Sequence, residues 1–331
     1  MEFTPSYLKL LESGELKQRA ESSIKMLENC NLCPRNCGTN RIISDKGYCY
    51  SGYKPIVSSY VLHFGEEPII SGNKGAGNIF FGNCNLRCIY CQNYQISQNY
   101  DKEKANEISF EELAEIMLKL QNRGAHNIGL VSPTHFVPQI INAIYIAAEK
   151  GLRLPIVYNT NGYDSVDTLK LLEGIIDIYL PDFKYGDSEA GKKFSKCSNY
   201  FEIASKALLE MKRQIGDDFI VQNGVLQRGI IIRHLVLPNN LADSDKAFEF
   251  ISSKLGKETR ISLMSQYYPT HKAKEEPLLS RKIREIEYEK AIEALEKYEL
   301  LNGWIQEYES SDYYFPDFNE RLNPFKDDRN I

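Results

Sequence analysis

No stretch of this 331-residue chain approaches the ~18 consecutive apolar residues that cross a bilayer as a helix, so a membrane-spanning protein is not expected. An excess of positive charge is equally lacking: 40 Lys and Arg stand against 45 Asp and Glu, for a net charge of −5. The clustered basic residues that a phosphate backbone requires are missing, and nucleic acid is not an expected partner. The opening segment MEFTPSYLKLLESGELKQRA carries charges every few positions where a signal peptide needs an apolar core, and the expected location is cytoplasmic. Cysteine is scarce outside two tight groups: of eight, Cys197 alone is isolated, a usage that suits metal ligation in a reducing compartment better than disulfides.

What is present is organised around Cys84-Asn85-Leu86-Arg87-Cys88-Ile89-Tyr90-Cys91, a C-x3-C-x2-C loop after the apolar run Asn78-Ile79-Phe80-Phe81. Three thiolates this close can share one metal cluster. A [4Fe-4S] cube normally takes four cysteines, so three leave one iron open to a substrate or cofactor. The blander alternative is a zinc site or three merely buried cysteines.

Residues 6–27 show the apolar spacing of a helix, with Leu8, Leu11, Leu16, Ile24 and Leu27 between charged positions. Cys30, Cys33, Cys37 and Cys49 follow as C-x2-C-x3-C-x11-C, a complete set of four thiolates with no open position. Such a closed set describes structural zinc, towards which the short knuckles lean, or a second [4Fe-4S] cluster. A strand is expected over residues 56–64, and Gly65-Glu66-Glu67-Pro68 reads as a turn, its paired acids either solvated or working beside the cluster.

From residue 76 to about 270 strands and helices alternate. Strands are expected at 78–81, 126–131, 154–158, 175–180, 229–236 and 259–264, and helices at 109–123, 137–150, 165–173, 199–214, 243–255 and 277–301. Continuous apolar runs such as Ile175-Ile176-Asp177-Ile178-Tyr179-Leu180 fit strands covered on both faces. The expected fold is α/β: a parallel (β/α)6 partial TIM-type barrel over 76–270, preceded by the helix, four-cysteine module and strand of 1–75, and followed by a C-terminal helical extension with an aromatic tail over 271–331. Chemistry in such barrels sits at the C-terminal strand ends. There the sequence places Ser132, Thr134 and His135, then Thr160 and Asn161, then Asp182 and Lys184, then Arg233, and finally Gln266.

With LCPRNCG, FFGNCNLRCIYCQNYQIS, VSPTH, PIVYNTNGY, DIYLPDFKY and IIIRHLVLP on the page, the chain resembles the radical S-adenosylmethionine superfamily. Within it the chain is most similar to the PflX-type relatives of the pyruvate formate-lyase activating enzyme. The resemblance implies a [4Fe-4S] cluster on Cys84, Cys88 and Cys91, with S-adenosylmethionine on the open iron. Reductive cleavage of that sulfonium would give a 5′-deoxyadenosyl radical that abstracts hydrogen from a substrate. Tyr90 would pack by the adenine. Ser132, Thr134, Thr160, Asn161, Asp182, Lys184, Arg233 and Gln266 would line the cofactor pocket, with Lys184, Arg233 and His135 as the groups nearest the chemistry. An electron donor such as flavodoxin or ferredoxin is implied, and a protein or peptide substrate is one option.

The sequence departs from that family pattern in three places. Asn159 stands where an aspartate helps bind a monovalent cation, Ser132-Pro133-Thr134 replaces a Gly-Gly-Glu that receives the cofactor's amino group, and Gln266 replaces a histidine. Glu66 or Glu67 is the expected source of the missing carboxylate. Arg233 and His234 are neighbours in an extended run, so one side chain faces the barrel interior and Arg233 is the choice. Cys197 is expected to be inert. The functional alternatives are activation of a glycyl-radical protein, modification of another peptide or a small metabolite, or an iron–sulfur electron-transfer or scaffold protein without turnover.

Overall fold

The structure is a computed structural model that describes residues 3–312 and 315–325. Among the described residues nine strands form one sheet: β1 (Val57–His63), β2 (Ala76–Phe81), β3 (Ile128–Val131), β4 (Ile156–Thr160), β5 (Ile178–Pro181), β6 (Ile220–Gln222), β7 (Val225–Leu235), β8 (Arg260–Met264) and β9 (Gly303–Ile305). Their order is β1-β2-β3-β4-β5-β7-β8-β9, with β6 hung on β7. β1 and β6 run antiparallel to their neighbours, and the other ladders are parallel. Every residue of β2, β3 and β5 is buried, because helices cover one face of the sheet and side chains fill the other.

The main helices are α1 (Tyr7–Glu12), α2 (Glu15–Ser23), α3 (Phe110–Asn122), α4 (Val137–Glu149), α5 (Val166–Leu171), α6 (Ser188–Ser195), α7 (Tyr200–Ile215), α8 (Ser244–Leu255) and α9 (Glu285–Lys297). α3 starts with a capping box: Ser109 Oγ accepts from Glu112 N–H while the Glu112 carboxylate accepts from Ser109 N–H. The helix expected over 6–27 is broken, since Gly14 takes φ 78°, which α-helix does not allow, and separates α1 from α2. The helix expected over 277–301 is shorter, beginning at α9, where the Glu287 carboxylate accepts from Arg284 N–H.

Three elements were not expected from the sequence: β6, a three-residue antiparallel partner of β7, and also β9 and α6. β9 is a further parallel strand beside β8, too short at three residues to show a period. Gly303 makes it fit: its φ is 129°, and a Cβ there would lie 1.9 Å from the Ile261 carbonyl oxygen. α6 fills the crossover between β5 and α7, capped by Asp187, whose carboxylate accepts from Glu189 and Ala190 N–H.

The sheet is curled around one cavity of about 1000 Å³, since His63 of β1, Phe80 of β2, Asn159 of β4, Arg233 of β7, Ser262 of β8 and Trp304 of β9 all line it. α1 covers the opposite end of the strands, with Tyr7 Oη donating to the Leu154 carbonyl and Ser6 N–H to Asp177. The segment carrying Cys30, Cys33, Cys37 and Cys49 is fastened to the barrel by Arg41, which is 1% exposed and donates to the Gly52 and His135 carbonyls. At the C-terminal side Phe318 and Phe325 pack on Phe80 with ring centroids 5.2 and 5.5 Å apart, and Phe315 meets Tyr268 at 4.4 Å. Trp304 and Pro316 border the cavity, while Tyr313 and Tyr314 of the expected aromatic tail lie outside the described residues.

Candidate active site

The C-x3-C-x2-C loop leaves β2 through Gly82 and Asn83, the latter at φ 66°, and all three of its cysteines face the cavity. Both sides of Cys88 are pinned to α6: Arg87 N–H donates to the Ser195 carbonyl at 3.1 Å and Ile89 N–H to the Phe194 carbonyl at 2.9 Å. Asn85 Nδ2 donates to the Tyr163 carbonyl at 2.8 Å. Each sulfur has a polar neighbour. Cys84 Sγ accepts from Leu86 N–H and Asn161 Nδ2, both at 3.4 Å; Cys88 Sγ accepts from Ser195 Oγ at 2.9 Å; Cys91 Sγ is 3.2 Å from Ser97 Oγ. Burial pushes the Cys88 thiol up to about 12 and the Cys91 thiol in the same direction. A cationic centre is what would keep them as thiolates there.

The charged strand ends converge on the same cavity. Lys184 pairs with Asp182. Burial works against the Lys184 charge, but Asp182 and the sulfurs of Cys88 and Cys91 outweigh it and hold the ammonium above its ordinary value. Arg233 makes a two-pronged pair with Glu67 and a further contact with Glu66, and Glu66 Oε1 also accepts from Asn78 Nδ2 at 2.7 Å. Burial opposes ionisation of Glu66, yet Arg233 holds its carboxyl well below the usual range. Glu66 and Glu67 thus stand on the cavity wall rather than in a solvated turn. Gly129 makes room for this arrangement, because a Cβ there would sit 2.1 Å from Asn78 Oδ1.

Tyr90, Ser132, Thr160, Asn161, Asp182, Lys184, Arg233 and Gln266 all line the cavity. Ser132 does so from a left-handed turn at φ 57°, its N–H donating to the Asn159 carbonyl. Two expectations need correction. His135 is buried away from the cavity, with Nε2 2.9 Å from the Gly82 carbonyl and the ring against Phe136 at 4.3 Å; burial lowers its pKa to about 3. Thr134 is also absent from the lining: its hydroxyl donates to Asp164 at 2.8 Å, and Asp164 also accepts from Tyr158 and Thr160. Neither side chain enters the cavity: His135 meets the backbone of Gly82 where the cysteine loop begins, and Thr134 joins the Asp164 and Thr160 hydroxyl network. His234 is buried on the opposite face from Arg233, between the Phe183 carbonyl and Ser244 Oγ. Cys197 is buried beside Asn199, 3.7 Å from its carboxamide oxygen.

In the N-terminal module Cys30, Cys33 and Cys49 are buried and Cys37 is exposed. Cys37 hydrogen-bonds Cys30, and burial pushes the Cys33 thiol up to about 12 with Cys49, Cys30 and Cys37 as further acidic neighbours. Among the described residues no three His, Cys, Asp or Glu side chains meet the spacing of ligands to a single metal ion. A cube-shaped cluster spreads its thiolates over different irons, farther apart than the ligands of one ion. The module touches the active-site loop directly: Arg35 Nε donates to the Asn85 carbonyl at 2.9 Å, and its guanidinium lies 3.9 Å over the Tyr48 ring.

The chain belongs to the radical S-adenosylmethionine superfamily, whose family model matches residues 78–236. It is 34% identical over 300 residues to the uncharacterized protein MJ0674 of Methanocaldococcus jannaschii, covering 88% of this chain and 82% of that protein. To the uncharacterized protein MJ0808 of the same organism it is 25% identical over 304 residues, covering 87% and 84%. Among solved structures it is similar to Streptococcus suis SuiB bound to the precursor peptide SuiA, with a TM-score of 0.48, 12% identity and coverage of 75% of this chain and 52% of that one. HydG, a maturase of the [FeFe]-hydrogenase, gives a TM-score of 0.46 at 12% identity, covering 67% and 48%. The chain thus spans about half the length of these two solved chains.

Membership implies a [4Fe-4S] cluster and S-adenosylmethionine. The residues present fit both. Three sulfurs with nearby N–H or O–H groups face the cavity, and its volume and convergent charged groups suit a cofactor of that size. Among the described residues no helix is long and apolar enough to cross a membrane.

Proposed function

We propose that the protein is a PflX-type, activating-enzyme-like radical enzyme. Cys84, Cys88 and Cys91 would hold the cluster, Lys184 would meet the carboxylate of S-adenosylmethionine, and Glu66 or Glu67 would receive its amino group. When bound, the cluster and S-adenosylmethionine would together supply a one-electron reductive cleavage of the sulfonium and, through it, abstraction of a hydrogen atom from the substrate, with methionine and 5′-deoxyadenosine as the products. The carrying observation is that the three cysteines of the matched segment share one cavity with charged side chains from two different strand ends. An electron carrier or scaffold needs the cysteines but not those charges.

Tyr90 closes one wall, and Asn159, Asn161 and Gln266 offer neutral donors and acceptors to the rest of the cofactor. Asn159 in place of a carboxylate removes one negative charge from the region where related enzymes bind a cation. The substrate we propose is a glycyl-radical protein, with another peptide or a small metabolite as the alternative. Flavodoxin or ferredoxin would deliver the electron. For the module of Cys30, Cys33, Cys37 and Cys49 we propose a closed structural metal: zinc if the sulfurs draw together around one ion, or a second [4Fe-4S] cluster if they keep the wider spacing described above.

The test is anaerobic reconstitution followed by dithionite and S-adenosylmethionine, comparing 5′-deoxyadenosine from the wild type with that from a Cys84→Ala/Cys88→Ala/Cys91→Ala variant. Nucleoside from the wild type alone is the expected result. A fully loaded wild type that neither binds the cofactor nor releases nucleoside would sink the proposal. Zinc retained near one equivalent in the triple variant supports the structural-zinc reading of the N-terminal module, and iron in its place refutes it.

A further inference from the structure

Ser195 lies 107 positions from Cys88, yet its hydroxyl sits 2.9 Å from the Cys88 sulfur. The same hydroxyl is 2.7 Å from Tyr185 Oη, which is in turn 2.6 Å from Tyr90 Oη. Ser195 and Tyr185 are fully buried and Tyr90 is 5% exposed. These four side chains therefore form a dry row that starts at a sulfur facing the cavity and returns to the cavity wall at Tyr90.

A metal-bound cysteine sulfur carries no proton and can only accept. That fixes the polarity of the row: Ser195 donates to the sulfur, Tyr185 donates to Ser195, and Tyr90 donates to Tyr185. Each bond polarises the next in the same sense. Hydrogen bonds to cluster sulfurs stabilise the more negative, reduced state and so raise the reduction potential. The two backbone bonds from Arg87 and Ile89 to the end of α6 hold the sulfur and the hydroxyl in register.

We infer that Ser195, backed by Tyr185 and Tyr90, is a positioning residue that sets the reduction potential of the cluster through a directed row of three hydroxyls ending on Cys88. The inference rests on the radical-enzyme reading above. It gives Tyr90 a role beyond packing, because its hydroxyl is the far end of the row.

The experiment is a potentiometric titration followed by electron paramagnetic resonance on anaerobically reconstituted full-length protein, with 5′-deoxyadenosine release measured in parallel. Ser195→Ala should shift the midpoint to more negative values, Tyr185→Phe should shift it less in the same direction, and Tyr90→Phe least. Ser195→Thr, which keeps a hydroxyl, should stay near the wild type. A Ser195→Ala midpoint equal to or above that of the wild type overturns the inference, as does a Ser195→Thr shift as large as that of Ser195→Ala. Should Ser195→Ala fail to retain iron, Tyr185→Phe decides, because it removes one hydroxyl and keeps the ring; an unmoved midpoint then overturns the inference. Unmoved midpoints in variants that still cleave the cofactor overturn this inference alone, whereas a wild type that takes up no cluster overturns the enzyme reading with it.

Discussion

Arg233 and Glu67, 166 positions apart, form a two-pronged ion pair inside the cavity, with Nε to Oε1 at 2.8 Å and Nη2 to Oε2 at 2.6 Å. Both side chains are at least seven-eighths buried, so the charges are compensated mainly by each other and by Glu66. Arg233→Met would leave two buried carboxylates without the side chain that pairs with both. At neutral pH we expect a loss of ~3–5 kcal/mol in urea unfolding, as for other broken buried pairs. The gap to the wild type should narrow as the pH falls below 4.5, for two reasons. The wild type loses the stability that Glu66 contributes above its unfolded value, while in the variant Glu66, no longer held ionised by Arg233, takes up a proton.

Acid should destabilise the fold through two histidines before it reaches the carboxylates. Burial lowers His135 to about 3 and His234 to about 4, against 6.5 unfolded, so each supports the fold fully above 6.5 and loses that support as the pH falls towards the folded value. Asp177 opposes them. Burial raises it to about 6, so its contribution is full below 3.8 and is lost as the pH rises through 6. Between pH 6 and 4 the Asp177→Asn variant should therefore lose stability more steeply than the wild type, by up to ~1.4 kcal/mol per pH unit. Chemical unfolding across that window checks the sign.

Lys184 is a largely buried cation whose charge is felt at Cys88 and Cys91, and its partner Asp182 shares the cavity wall. Lys184→Met should leave the iron content of the reconstituted protein unchanged and weaken S-adenosylmethionine binding by roughly 10- to 100-fold, the worth of one charged hydrogen bond. Equilibrium binding to the loaded protein measures it. Unchanged affinity would remove Lys184 from the cofactor site.

Gly162 joins the Asn161 and Asp182 loops. Its φ is 78°, and a Cβ would lie 2.3 Å from the Asp182 carbonyl oxygen. Gly162→Ala should cost at least ~1–2 kcal/mol from the left-handed backbone alone and displace Asp182 as well. Thermal unfolding would show the first effect, and weaker cofactor binding the second.

Much of this site was legible because its signals are local. The cysteine spacing lies within eight residues, and the apolar strand runs end in polar groups that a parallel barrel gathers at one end. Alternation along β7 correctly set Arg233 apart from His234. His135 was misread because Ser132 takes a left-handed conformation with no glycine at that position to announce it, and the His135 ring meets the Gly82 carbonyl instead of the cavity. The row from Cys88 through Ser195 could not be read at all. α6 is a short helix in a crossover, and nothing along the sequence says which serine will meet which sulfur. Asn78 carried the clearest missed signal: a carboxamide in an otherwise apolar strand, which proves to support Glu66.

Arg41 ties the cysteine-rich segment to the body of the molecule from a fully enclosed position, spending its donors on the carbonyls of both. Neither side can let go without stranding a desolvated cation. The segment should consequently behave as part of one cooperative unit in a calorimeter, melting in a single endotherm. A protease cut between Tyr50 and Ile56 should release two unstable pieces, not an independent module and a surviving barrel.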